Sequence, residues 1–107
     1  RLPRKATITS EEIRDAMGSP LLALVEAIRS TLDECSTDLV SDLVDNGLVL
    51  AGGAALTRGL DRYLSEQTGL PTRLCSEPLS AVSRGMAICL EHFDRWRGAM
   101  QASDDDV

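Results

Sequence analysis

The stretch Asn46-Gly47-Leu48-Val49-Leu50-Ala51-Gly52-Gly53-Ala54-Ala55-Leu56-Thr57-Arg58-Gly59-Leu60 puts a turn, an apolar run, a glycine pair and a helical pattern end to end. Leu48 to Ala51 contains no polar residue. So short an apolar run fits a strand buried on both faces, as in a parallel sheet. Gly52 and Gly53 lack Cβ atoms, so the chain can turn sharply there and a ligand can come close to the backbone. From Ala55 onward, Leu56, Leu60 and Leu64, joined by Gly59 and Tyr63, fall on one face of a helix. Strand, glycine turn and helix N-terminus together leave outward-facing N–H groups that suit an anion or a polar heterocycle. The same local pattern also fits a tight strand-to-helix turn that binds nothing. It is not a P-loop, because no Gly-Lys-Ser/Thr follows, and it is not the G-x-G-x-x-G fingerprint.

The chain has 107 residues, enough for one modest domain with a single core. Hydrophobic residues make up 43% and charged residues 26%, the balance of an ordinary globular chain. Aromatic residues are only 3%, so the core must be aliphatic, and a stacking platform for single-stranded nucleic acid is not expected. The net charge of −6 also argues against nucleic acid as a partner. Half of that charge comes from Asp104-Asp105-Asp106, which reads as a solvated tail. Cys35, Cys75 and Cys89 form no C-x-x-C pair and stand in apolar settings, which suits buried thiols in a reducing cytosol. His92 is the single histidine, so no Ser-His-Asp triad or histidine-based metal site is built around it. No apolar run approaches the ~20 residues of a membrane-spanning helix. The chain starts at Arg1 without an initiator Met, as a piece of something longer would.

The local signals divide the chain into residues 1–9, a linker and short extended segment, a folded region over 10–98, and an acidic disordered tail over 99–107. Thr9-Ser10-Glu11-Glu12 fits a capping box and predicts a short helix through Met17. Gly18-Ser19-Pro20 then predicts an interruption, with Ser19 as a new N-cap and Pro20 at the first helical position. The following helix runs to about Glu34, with Leu21, Leu24, Val25, Ile28 and Leu32 as its core stripe. Ser36 or Thr37 caps a third helix that Asp45-Asn46-Gly47 ends. After the Leu48 to Ala51 strand, a helix is expected from about Ala55 to Thr68, stopped by Gly69 and Pro71. Thr72 to Cys75 reads as a second strand, parallel to the first because a helix joins them. A last helix is expected from about Leu79 to Gly98, with Val82, Met86, Cys89, Phe93 and Trp96 on one face. Buried packing is expected of Tyr63, Phe93 and Trp96. The fold class is therefore α/β, a parallel βαβ unit flanked by several helices. Two strands make a poor sheet by themselves, and the pattern suggests one flank of a larger doubly wound fold.

Three stretches resemble the C-terminal part of the MreB family, the bacterial actin-like rod-shape proteins. They are Thr7-Ile8-Thr9-Ser10-Glu11-Glu12-Ile13-Arg14-Asp15-Ala16, then Gly47 through Leu60, then Thr68-Gly69-Leu70-Pro71 with Glu77-Pro78-Leu79-Ser80-Ala81-Val82-Ser83-Arg84-Gly85. The likeness runs over roughly residues 5 to 92. The glycine stretch alone points only to the wider actin, Hsp70 and sugar-kinase superfamily; the flanking stretches narrow it. The resemblance implies an actin-like (ribonuclease H-like) fold, with this chain as most of subdomain IIA. It implies that Gly52, Gly53 and Ala54 pack against the adenosine of ATP, with Ala54 standing where the family usually has a third glycine. It implies ATP with Mg as cofactors of the intact parent, a weak ATPase. The phosphate loops, metal-coordinating acids and water-positioning residue of the superfamily have no counterpart here. No catalytic residue, metal ligand or cofactor is therefore expected of the isolated chain.

By the same resemblance the parent forms filaments with copies of itself on the cytoplasmic face of the bacterial membrane. There it would govern rod shape, direct cell-wall synthesis and meet a RodZ-like membrane protein. Two other readings stay open: a fragment of another ATPase or kinase of the superfamily, and a stand-alone interaction module that has lost ATP. The length of the parent gene separates them.

Overall fold

The computed structural model describes residues 2–100. The expected acidic run at Asp104 to Asp106 lies outside the described residues. In chain order the elements are α1 (Ser10–Glu34), α2 (Thr37–Asn46), β1 (Leu48–Leu50), a single 3₁₀ turn (Gly53–Leu56), α3 (Leu60–Thr68), β2 (Thr72–Leu74), α4 (Ala81–Glu91) and α5 (Phe93–Met100). β1 and β2 pair in parallel, Leu48 opposite Thr72, Val49 opposite Arg73 and Leu50 opposite Leu74. The ladder extends at both ends, where Leu48 N–H donates to the Pro71 carbonyl (2.7 Å) and Cys75 N–H to the Leu50 carbonyl (3.0 Å). The expected parallel βαβ order is thus present, and the fold is mixed α/β.

Local chemistry sets most boundaries. Thr9 caps α1 by accepting from Glu12 N–H at 3.2 Å, and Ser36 caps α2 by accepting from Leu39 N–H at 3.4 Å. Gly47 ends α2 with φ +76, and Gly69 ends α3 with φ +75. These are positions where a residue with Cβ is disfavoured and glycine is at home.

Three helical boundaries differ from expectation. α1 runs unbroken through Pro20. Proline removes one helical N–H and crowds the preceding turn, but its fixed φ is a helical one. Met17 and Leu21, one turn apart on either side of Pro20, are both half-buried against the same groove, so packing continues across the site. The helix after the glycines starts at Leu60, five residues later than expected. There, the Thr57 hydroxyl donates to the Ala54 carbonyl at 2.8 Å, and Gly59 turns left-handed at φ +80. A side chain that bonds nearby backbone competes with helix continuation. The last helix breaks at His92, which takes φ −118 and ψ 46.

Among the described residues the buried apolar side chains are Val25, Ala55, Leu64 and Leu70, where α1 meets α3 and the loop leading into β2. Arg29 Nη2 ties the same junction by donating to the Gln67 carbonyl at 2.6 Å. Outside this small core the expected burial is not found. β1 was expected to be covered on both faces, yet Val49 is 49% exposed. Val82, Met86, Phe93 and Trp96 are exposed rather than packed. The Trp96 ring is partly screened by the Arg95 guanidinium, 5.8 Å from its centroid, a cation–π distance. The three cysteines are free and half-buried. The radius of gyration, 18.4 Å, exceeds the about 13 Å of a compact domain of this size. The physical reason is common to all of these: within the described chain, no second layer lies over the outer faces of the sheet and of α4–α5.

Candidate functional site: the glycine turn after β1

β1 delivers the chain to Gly52, which takes φ +91 and ψ 168. That region is open to glycine and strained for other residues. Gly52 N–H donates to the Pro78 carbonyl at 2.9 Å, and the Gly52 carbonyl accepts from Ala55 N–H at 3.2 Å. The second bond begins the 3₁₀ turn, so the N–H groups of Gly53 and Ala54 have no acceptor within it. Ala55 is buried and anchors the turn, whereas Gly53 and Ala54 are exposed. The Ala54 carbonyl accepts both the N–H (3.1 Å) and the hydroxyl (2.8 Å) of Thr57.

The two glycines are not equivalent. A Cβ built on Gly52 would meet nothing within 4 Å. A Cβ built on Gly53 would lie 3.4 Å from Leu79 Cδ2. The residue with positive φ is therefore Gly52, and the free space beside the turn is at Gly52 as well. The expected geometry also changes in another way. The turn leads into one 3₁₀ turn instead of the N-terminus of a long helix, so no helix macrodipole of any length points at it.

Pro78 and Leu79 were not singled out for a role by their local sequence, yet they stand directly behind this turn. Their link is a contact between distant segments, which periodicity does not register. A separate groove of about 420 Å³ lies between α1 and the Thr57–Tyr63 segment, lined by Ile13, Met17, Leu21, Leu60 and Tyr63 among others. None of Gly52, Gly53 and Ala54 lines it. Concavity alone does not choose between groove and turn. Among the described residues no group of three His, Cys, Asp or Glu side chains is placed to hold a metal ion.

Residues 1–98 match the family model described as MreB/Mbl protein. The chain belongs to the MreB/Mbl family. It is 42% identical over 97 residues to the cell shape-determining protein MreB of Escherichia coli (strain K12), covering 91% of this chain and 28% of that protein. It is 37% identical over 102 residues to MreB of Pasteurella multocida (strain Pm70), covering 95% and 29%. Against the cell shape-determining protein Mbl of Bacillus subtilis (strain 168) it is 31% identical over 94 residues, covering 88% and 28%. The chain thus spans under a third of the length of these MreB and Mbl relatives. MreB/Mbl membership implies an actin-like fold, and the parallel β1–β2 pair with its surrounding helices is the part described here.

Proposed function

We propose that this chain is the subdomain IIA portion of an MreB-like, ATP-dependent cytoskeletal protein that governs rod cell shape. In this reading Gly52, Gly53 and Ala54 form the adenosine side of its nucleotide cleft. The observation that supports the site most directly is Gly52 at φ +91 and ψ 168, outside the αL region in which Gly59 and Gly69 cap α3, with nothing within 4 Å of where its side chain would be. A backbone bent into a glycine-only shape beside open space suits close approach of a flat heterocycle and its sugar. The exposed N–H groups of Gly53 and Ala54 add donors for polar atoms of the ligand.

In this reading the glycine turn would hold the adenosine part of ATP, and no residue of this chain is given to the metal. The described residues offer no carboxylate cluster to a magnesium ion, so no residue here is assigned to it, and none is assigned to catalysis. Phosphoryl transfer depends mainly on groups that position phosphates and spread charge. In this reading those groups belong to the rest of the intact protein. That protein assembles into filaments with its own copies, lies on the cytoplasmic face of the cell membrane, directs cell-wall synthesis there and meets a RodZ-like membrane partner. No described helix is long and apolar enough to cross a membrane.

The test is ATP titration of the full-length protein and its Gly52→Ala variant, with folding checked by circular dichroism. A methyl group in the space beside the turn is expected to weaken ATP by about tenfold or more. Unchanged affinity in a folded Gly52→Ala protein would remove this turn as the nucleotide contact.

A further inference from the structure

The turn between β2 and α4 touches both glycines of the candidate site. The Pro78 carbonyl accepts Gly52 N–H at 2.9 Å, and Leu79 Cδ2 is the nearest atom to a side chain built on Gly53. What fixes that turn is one side chain from the start of α4. Arg84 Nη2 donates to the Ser76 carbonyl at 2.6 Å and to the Glu77 carbonyl at 3.3 Å. Its Nε reaches Ser80 Oγ at 3.2 Å, and its Nη1 lies 3.8 Å from the Glu77 carboxylate. Ser80 adds its own N–H (3.1 Å) and hydroxyl (3.3 Å) to the Glu77 carbonyl. Residues 76 to 80 are thereby closed into a ring around the guanidinium.

The ring also holds a backbone conformation that would not persist unaided. Glu77 sits at φ +51, the one non-glycine residue with positive φ among those described. Such a residue stays there when its surroundings over-determine it. Pro78 has no N–H of its own, so its neighbours must hold its carbonyl in line with Gly52. The side chains of Arg84 and Glu77 are 48% and 72% exposed, so their ion pair is screened and contributes little. The bonds to backbone carbonyls are what remain. They need several donors in a fixed fork, which arginine has and lysine does not.

We infer that Arg84 is a positioning residue: by clamping the Ser76–Ser80 turn it sets the shape of the Gly52-Gly53 turn, and through it the affinity for adenosine. The last step rests on the function proposed above. Arg84 touches no ligand in this scheme. It acts through Pro78 and Leu79.

Hydrogen exchange separates the two steps. In the full-length protein without nucleotide, Arg84→Ala is expected to speed exchange in the peptide spanning residues 49–56 by about five- to tenfold. The peptide around Leu64 should keep its wild-type rate. ATP affinity should fall by about three- to tenfold. Arg84→Lys keeps the charge and most of the stem, and is expected to recover less than half of either effect. Glu77→Gln, which removes only the screened ion pair, should leave both near wild type. Wild-type exchange over 49–56 in folded Arg84→Ala overturns the inference. So does equal quickening around Leu64, which would mark general loosening, and so does full recovery by lysine. If exchange quickens locally while ATP affinity is unchanged, Arg84 does position the turn and the nucleotide assignment is what fails.

Discussion

Two glycines flank β1 and ask the same thing of the backbone for different reasons. Gly47 precedes the strand at φ +76 and ψ −170; Gly52 follows it at φ +91 and ψ 168. Both lie in a region that is essentially closed to other residues. Gly47 is buried, and a Cβ there would fall onto the Pro71 carbonyl oxygen, the same oxygen that accepts Leu48 N–H. Gly52 is half-buried and a Cβ there would meet open space. The protein's own packing explains the first glycine completely. No side-chain collision requires the second: its conformation, held by the Pro78 and Ala55 hydrogen bonds, opens onto room the described chain leaves unfilled. A glycine-only geometry is a structural demand in one case and, in our reading, a ligand's demand in the other.

Substitution at Gly47 should give the largest effect. Gly47→Ala combines backbone strain with a collision against the carbonyl that starts the β1–β2 ladder. It is expected to destabilise the full-length protein by about 3–5 kcal/mol, enough to prevent folding in a marginal protein. Urea unfolding measures it. A loss under about 1 kcal/mol would show that the close approach of Gly47 to Pro71 relaxes freely and would break the contrast.

Gly52→Ala should cost less, about 1–3 kcal/mol from strain alone. The expected signature is a modest fall in melting temperature with a large fall in ATP affinity, the reverse of the ordering at Gly47. A melting curve taken with and without ATP reads both terms, because a ligand that binds only the folded state raises its stability. If Gly52→Ala proves as damaging to folding as Gly47→Ala, the space beside Gly52 is not free in the intact protein.

Gly53→Val sharpens the picture further. Its φ is ordinary, and its side chain would press on Leu79 rather than point into the free space at Gly52. Leu79 is 75% exposed and can move. The expected loss of stability is about 1 kcal/mol. Any drop in ATP affinity should be smaller than for Gly52→Ala, since it acts through displacement of the Leu79 turn. Calorimetric titration of the two variants side by side checks this order, and a larger drop at Gly53 would reverse the roles assigned to the pair.

How much of this could be read from the chain depended on how local the cause was. Ser36, Gly47, Gly69 and Pro71 act within a few residues, and the boundaries they set were legible. So was the parallel pairing, because a helix between two apolar runs leaves few alternatives. Pro20 misled because its break signal is local, while the packing of Met17 and Leu21 that overrides it is not. Thr57 delayed α3 through a side-chain bond that has no signature in hydrophobic periodicity. At His92 the helix breaks with no glycine or proline to mark it. The exposure of Val49, Phe93 and Trp96 was illegible for another reason: an apolar pattern says that a face should be covered, not that the cover lies in the same stretch of chain. Gly52 and Gly53 were legible as a pair, but which one takes positive φ, and what stands behind each, required the Ser76–Ser80 turn to be seen in place.

The smallest expected effect is at Ala54, and its sign carries the information. Ala54 lies in the 3₁₀ turn, is exposed, and uses only its carbonyl in holding Thr57. Ala54→Gly keeps that carbonyl and removes a single methyl. Greater freedom of the unfolded chain should lower stability by about 0.5–1 kcal/mol. In the proposed site the Ala54 methyl lies where the nucleotide passes, so affinity in the full-length protein should be equal or tighter. Gly52→Ala adds a methyl beside the same turn and should do the opposite. Opposite signs from adding and removing one carbon two residues apart would tie the effect to space at the turn, since both changes lower stability. A fall in affinity of more than about fivefold in Ala54→Gly, measured by the same titration, would mean that the methyl supports the ligand. Ala54 would then be a contact in its own right, and the free space would have to be sought on the other side of Gly52.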